Sequence, residues 1–259
     1  MKRIKFIFLI IIFLISCGSK TDIIDENIQE RFNLGLQYFE KEKYLKAETE
    51  FNYLILNNPG SKLALDAQYY MAESMFHLEK YNESIVEYDR YAQFSDNSEK
   101  IEHANFRSCE SSYLLSNEFL HDQGSSPSLL DKLQVFIEKY PNSNFNSEIE
   151  IFFRDIRSRL ARKKYETGRL YLKLEEYDAA LIYFDDVITS YYDTEYADWA
   201  RIETIFTYLL QKNPEKAISK IELYSEKFIK IENYNIAEEL INDMEAGKLT
   251  LSNYIRLYK

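Results

Sequence analysis

Cys17 is the residue whose surroundings most clearly mark it for covalent chemistry. The run Leu14-Ile15-Ser16-Cys17 closes a segment that begins with Lys2, Arg3 and Lys5 and continues through an unbroken apolar stretch, Phe6 to Ile15. That stretch is shorter than the roughly 20 residues a membrane span needs, and it has the form of a signal-peptide core. The small Ser16 fits a peptidase cleft, and the Cys17 thiol can accept a diacylglyceryl group before cleavage. The freed Cys17 amine can then be acylated as well. Several acyl chains, at about 0.8 kcal/mol per buried methylene, make a stable anchor. Residues 1–16 are therefore expected to be a lipoprotein signal peptide, and 17–26 a lipidated cysteine followed by a flexible tether. An ordinary secretory signal with an incidental cysteine is the alternative.

Other residues capable of chemistry do not converge. His77, His103 and His121 are not spaced as a metal pair, and no glycine-rich loop precedes a helix to cradle phosphate. Carboxylate pairs such as Glu175-Glu176 and Asp185-Asp186 diverge by about 100° around a helix, so each reads as solvated surface. Cys109 lies among Phe106, Tyr113 and Leu114 and reads as a small buried residue. No cofactor, no metal site and no catalytic residue are expected, and an enzyme would need a site assembled from unmarked residues. The net charge of −11 argues against a nucleic-acid partner. The signal segment itself carries Lys2, Arg3 and Lys5, so the remainder is more acidic still.

Binding has better support, because the chain repeats. In Tyr165 to Thr194, Gly168 and Tyr171 share one helix face, and Tyr177, Ala180, Phe184 and Val187 share the face of a second. Leu34, Gly35, Tyr38, Tyr44, Ala47, Phe51, Leu54 and Pro59 keep the same offsets. Met71, Ala72, Met75, Tyr81, Ser84, Tyr88 and Tyr91 repeat them about 37 residues further on, close to the tetratricopeptide period of roughly 34. Small residues allow close helix approach, and aromatic residues fill the space around the contact. The spacing predicts an all-α chain, a right-handed α-solenoid of about five tetratricopeptide (TPR) helix pairs. These run 27–42 with 44–57, 62–79 with 81–94, 98–120 with 127–139, 145–175 with 177–190, and 196–211 with 214–231. The third pair departs from the pattern, and residues 119–128 add a polar loop.

The expected division is an N-terminal half at 27–140 with repeats 1–3, a C-terminal half at 141–232 with repeats 4 and 5, and a terminal helix or tail at 233–259. In such arrays the first helix of each pair supplies the concave face. The inward positions are Phe32, Leu36 and Phe39 in the first repeat, and Tyr69, Glu73 and Phe76, with His77 beside them, in the second. An apolar, aromatic groove with one acid suits an extended peptide bearing aromatic side chains. Each aromatic residue could equally pack against the next repeat.

From Cys17 to about Thr194 the chain resembles the BamD family, also called ComL or YfiO. The resemblance is carried by the lipobox, by Tyr44-Leu-Lys-Ala47 with Phe51 and Pro59, and by Tyr81 leading to Tyr88-Asp-Arg-Tyr91. It continues through Tyr140-Pro-Asn-Ser143, Arg157-Ser-Arg-Leu-Ala161, Tyr171-Leu-Lys173, Tyr177-Asp-Ala-Ala180 and Tyr192-Asp-Thr194. Tyr192 stands where the family has Pro, and Lys164 where it has Glu. Gly18 after the lipidated cysteine resembles the residue choice of enteric lipoproteins sent to the outer membrane. The resemblance implies five TPR repeats on a non-enzymatic scaffold, lipid-anchored to the outer membrane and facing the periplasm. It implies contact between the C-terminal repeats and a POTRA domain of the barrel protein BamA, with Arg159 as the carried-over residue. It also implies that the N-terminal repeats receive the aromatic C-terminal segments of unfolded outer-membrane barrel proteins. Two other readings stay open: a TPR adaptor lipoprotein for another envelope complex, and a glycan-capturing surface lipoprotein. The single Trp199 and short loops count against the second.

Overall fold

The computed structural model describes residues 21–118 and 126–247, and all regular structure among them is α-helical. The signal segment, Cys17, His121 and the residues beyond 247 lie outside the described residues. The helices are α1 (Thr21–Glu40), α2 (Tyr44–Asn57), α3 (Lys62–His77), α4 (Tyr81–Phe94), α5 (Ser98–Glu118), α6 (Ser126–Lys139), α7 (Asn146–Lys173), α8 (Tyr177–Ser190), α9 (Glu195–Leu210), α10 (Pro214–Tyr224) and α11 (Ile231–Glu245). They divide into two compact units, the first comprising residues up to 121 with 135–145 and the second 122–134 with 146–259. Within each unit, antiparallel helix pairs of tetratricopeptide type follow one another as in an α-solenoid. Helix α1 already begins at Thr21, inside the stretch read as a tether.

One turn recurs at four pairs. Glu42, Glu79, Glu175 and Lys212 each adopt a positive φ of 56°, 59°, 61° and 57°. The following N–H closes the first helix by bonding back to a carbonyl: Lys43 to Tyr38 at 2.8 Å, Lys80 to Met75 at 2.9 Å, Glu176 to Tyr171 at 3.0 Å and Asn213 to Tyr208 at 2.9 Å. This is the left-handed helix stop that glycine normally supplies. Here the chain accepts non-glycine residues, and the next helix begins immediately. Side-chain caps start some of the helices. Ser61 accepts from the Ala64 N–H at 3.0 Å, and Asn213 accepts from Lys216 at 3.2 Å with Pro214 in the first turn.

Close packing follows the small residues. A Cβ added to Gly35 would sit 2.6 Å from the Phe51 ring, and one added to Gly168 would sit 2.6 Å from the Phe184 ring. Both phenylalanines are fully buried. Where the third pair meets the second, serines make the close contacts. Ser108 of α5 donates to Asp89 at 2.5 Å, and Ser84 of α4 donates to Ser111 at 2.9 Å. Cys109, next to Ser108 on α5, is buried as expected.

A further boundary differs from the sequence reading. Helix α10 stops at Tyr224 rather than continuing to 231. The buried Asp198 of α9 explains this. Its carboxylate accepts from the Ile229 N–H at 2.9 Å, the Lys230 N–H at 3.0 Å and Asn233 Nδ2 at 3.0 Å, and pairs with Arg201 at 2.7 Å. The segment before α11 is thereby held out of helical conformation, with its backbone donors satisfied by a side chain.

Candidate protein-binding surfaces

In the first unit, helices α3 and α5 are joined at intervals of one repeat. Asp66 faces Lys100 at 3.5 Å, Tyr69 Oη lies 2.7 Å from His103 Nδ1, and Glu73 takes Arg107 Nη2 at 2.9 Å and Nε at 3.3 Å. The Tyr88 hydroxyl of α4 donates to the same Glu73 at 2.6 Å. A bidentate guanidinium and a phenol thus surround one buried carboxylate and satisfy its oxygens with hydrogen bonds. Burial is the main reason that the Tyr69 and Tyr88 hydroxyls are held far above the usual tyrosine range, with the Glu73 charge adding to it. For Arg107, burial opposes the charge, but bonding to Glu73 outweighs it and the guanidinium is held above its ordinary value.

These contacts correct two of the groove expectations. Phe32 is buried, with its ring 5.8 Å from Phe51 and 6.0 Å from Tyr70, so it is core. Glu73 is buried in the Arg107 cluster and presents no carboxylate to a ligand. Among the others, Leu36 and Tyr69 are half-buried, the latter beside His103. Phe76 lies under the Arg107 guanidinium at 3.7 Å. His77 is exposed and stacks on Tyr44, with centroids 4.4 Å apart and planes 10° apart, and Phe39 meets both edge-on. The structure therefore brings Phe39, Tyr44 and His77 together as an aromatic step at the helix turns. Tyr44, Tyr88, His103 and Arg107 were missed as members of this region. The signal was present in the sequence: Asp66, Tyr69 and Glu73 meet Lys100, His103 and Arg107 one 34-residue period later.

In the second unit the Arg157–Ala161 stretch lies on α7. Arg157 reaches the turn after α8, donating to the Ser190 carbonyl at 2.8 Å and through Nε to Asp193 at 3.0 Å. These bonds hold the Asp193 carboxyl below its ordinary value and fix the Tyr192-Asp193-Thr194 corner. Arg159 pairs with Asp155 one turn earlier on the same helix and stays partly accessible. Lys164 pairs with Asp186 of α8; that bonding, set against partial burial, raises the lysine, while for the acid burial acts to raise it but the hydrogen bonds from Lys164 and Ser190 and the Lys164 charge together hold it below its ordinary value. Lys164 thus serves a contact within the unit. Deeper in, Tyr165 donates to Glu203 at 3.3 Å and Arg169 faces that carboxylate at 3.5 Å. Among the described residues no helix is long and apolar enough to cross a membrane, and no group of three metal-ligating side chains is found.

Stacked helix pairs with buried polar ties define an α-helical repeat protein of tetratricopeptide type. Residues 25–200 match the YfiO family, described as outer membrane lipoproteins, and the chain belongs to that family. The outer membrane protein assembly factor BamD of Rickettsia prowazekii (strain Madrid E) is 27% identical over 196 residues, which cover 75% of this chain and 78% of that protein. Among solved structures, a thermophilic TPR protein of Thermus thermophilus is 16% identical, with 83% of this chain and 98% of that one covered and a TM-score of 0.35. A tetratricopeptide repeat protein of Parabacteroides merdae is 10% identical, with 86% and 88% covered and a TM-score of 0.38. At such scores these two structures carry no argument about function.

Proposed function

We propose that this chain is a non-enzymatic scaffold of the outer-membrane β-barrel assembly machinery. The observation that carries the reading is its membership of the outer membrane lipoprotein family together with its similarity to an assembly factor over three quarters of its length. In this reading lipid on Cys17 holds the protein at the outer membrane, facing the periplasm. The second unit meets a POTRA domain of the BamA-like barrel protein, with Arg159 offering its guanidinium to a partner carboxylate. The aromatic step of Phe39, Tyr44 and His77 in the first unit receives the aromatic C-terminal segments of unfolded barrel clients. Stiff helices keep both surfaces in shape, and the anchor raises their effective concentration near the partner.

Affinity purification of the lipidated protein followed by identification of what binds tests the whole. A barrel protein with POTRA domains is the expected catch. Oligosaccharide without barrel protein would instead favour glycan capture, and a different envelope complex would favour an adaptor role. Arg159→Glu is expected to weaken capture on the order of tenfold or more. It should leave the helical circular dichroism intact, because Arg159 is partly accessible and its i,i+4 pair with Asp155 is worth about 0.5 kcal/mol. Unchanged capture would remove Arg159 from the interface.

A further inference from the structure

At the Asn58-Pro59-Gly60-Ser61 turn of the first unit lies an open cavity of about 640 Å³. Its apolar lining is Ile55, Pro59, Ala64, Leu65 and Phe94. Two of its polar groups are already engaged, since Ser61 caps α3 and Gln68 donates to Glu87 at 2.7 Å. Lys62 and Asp96 are exposed, as is the Phe94 ring, 65% of which meets solvent. Such a site offers dispersion contacts and little hydrogen bonding, which suits a hydrocarbon chain better than a peptide backbone.

The cavity sits where the chain enters the unit. Helices α1 and α2 are antiparallel: Lys43 bonds to Tyr38 at their turn, and further along Arg31 pairs with Glu50 at 2.8 Å and covers the Tyr53 ring at 3.8 Å. Continuing that register sets the first turn of α1 beside the end of α2, at the Pro59 turn. Cys17 precedes Thr21 by four residues, and an extended chain covers about 3.3–3.6 Å per residue, so its reach is on the order of 14 Å.

We propose that this cavity shelters an acyl chain of the Cys17 lipid when no bilayer is at hand. The inference rests on the lipidation reading given above. A bilayer surrounds every methylene, at about 0.8 kcal/mol each, whereas an open cavity covers the chain on some sides only. The lipid therefore leaves the cavity for a membrane when one is offered, and the cavity shields it from water in between.

The test uses the full chain, produced in bacteria fed a diazirine-bearing palmitate analogue, extracted in detergent, diluted below micelle formation and irradiated. Intact mass first reads Cys17, and a bare thiol overturns the anchor reading together with this one. With labelled Cys17, crosslinks are expected within the same chain to peptides containing Ile55, Leu65 or Phe94. Their yield should fall at least fivefold when vesicles of phosphatidylethanolamine and phosphatidylglycerol are added. Phe94→Glu, at an exposed position, should lower it similarly with unchanged circular dichroism; the vesicle comparison needs no substitution. Label found elsewhere on the chain, on a second copy or only on detergent, or a yield indifferent to vesicles, overturns the cavity while leaving the anchor in place.

Discussion

Glu73 in the first unit and Glu203 in the second are both buried acids on the first helix of a pair, each met by a tyrosine and an arginine. Around Glu73 the contacts are short: Tyr88 at 2.6 Å and Arg107 at 2.9 and 3.3 Å. Around Glu203 they are longer, with Tyr165 at 3.3 Å and Arg169 at 3.5 Å. The same residue types thus build a hydrogen-bonded cluster in one place and a looser ion pair in the other. The two positions differ in what surrounds the cation. Arg107 also reaches Glu110 at 2.9 Å and lies 3.7 Å over the Phe76 ring, so it is held closely on three sides, whereas the further contacts of Arg169 are longer, to Glu166 at 3.8 Å and over the Tyr165 ring at 5.8 Å. A buried charge is stabilised by the geometry of its partner rather than by the partner's presence.

The largest expected effect breaks that comparison directly. Arg107→Met leaves Glu73 buried with only the Tyr88 hydroxyl and, at 3.7 Å, His103 Nδ1 beside it, and should cost about 3–5 kcal/mol. Arg169→Met removes a longer contact and should cost about 1–2 kcal/mol. Urea unfolding followed by circular dichroism reads both. Equal losses would mean that the shorter contacts of the first unit confer no extra stability.

A second effect asks where the units agree. Gly35 and Gly168 face Phe51 and Phe184 in the same way, with the same 2.6 Å approach for an added Cβ. Both rings are fully buried. Gly→Ala at either site forces a shift costing about 1–3 kcal/mol, less the roughly 1 kcal/mol that alanine gains in a helix. The net loss should be similar in the two variants. A stabilised Gly168→Ala beside a destabilised Gly35→Ala would show that the second unit packs more loosely here as well.

Those glycine–aromatic contacts were legible in the sequence because they are local. Gly35 and Phe51, or Gly168 and Phe184, lie within one pair, and spacing alone places them face to face. The helix pairs and their turns followed from the same rule, although nothing in Glu42, Glu79, Glu175 or Lys212 announces a positive φ, since glycine is the usual signal. The groove was less legible. Helical spacing shows that Phe32 and Glu73 share a face with Phe39 and Phe76, but it does not show what covers that face. Phe32 is covered by Tyr70 of the next repeat, and Glu73 by Arg107 one full repeat later. The early end of α10 has the same origin, because the carboxylate that captures Ile229 and Lys230 belongs to Asp198, on another helix. Contacts across a repeat boundary appear in sequence only as complementary residues one period apart.

The smallest expected effect separates the units by pH. His77 and His103 fall in the first unit, and the sequence of the second contains no histidine. His103 is held below the ordinary histidine value, chiefly by burial; the Arg107 charge adds to this, and Glu73 and Glu110 oppose it. Tyr69, Phe106 and Phe145 pack around its ring. A lowered histidine value means that the unfolded chain takes up the proton first. Stability is then full above the unfolded value of about 6.5 and is lost as pH falls below it toward the folded value. His103→Gln keeps a group able to meet the Tyr69 hydroxyl but cannot be protonated, so the variant should show a flatter stability profile just below pH 6.5. Hydrogen exchange resolved by peptide should place the wild-type loss in α3 and α5, with α8 and α9 unaffected. Acid sensitivity of equal size in α8 and α9, or a profile unchanged by the substitution, would assign it to carboxylates instead and remove this distinction between the units.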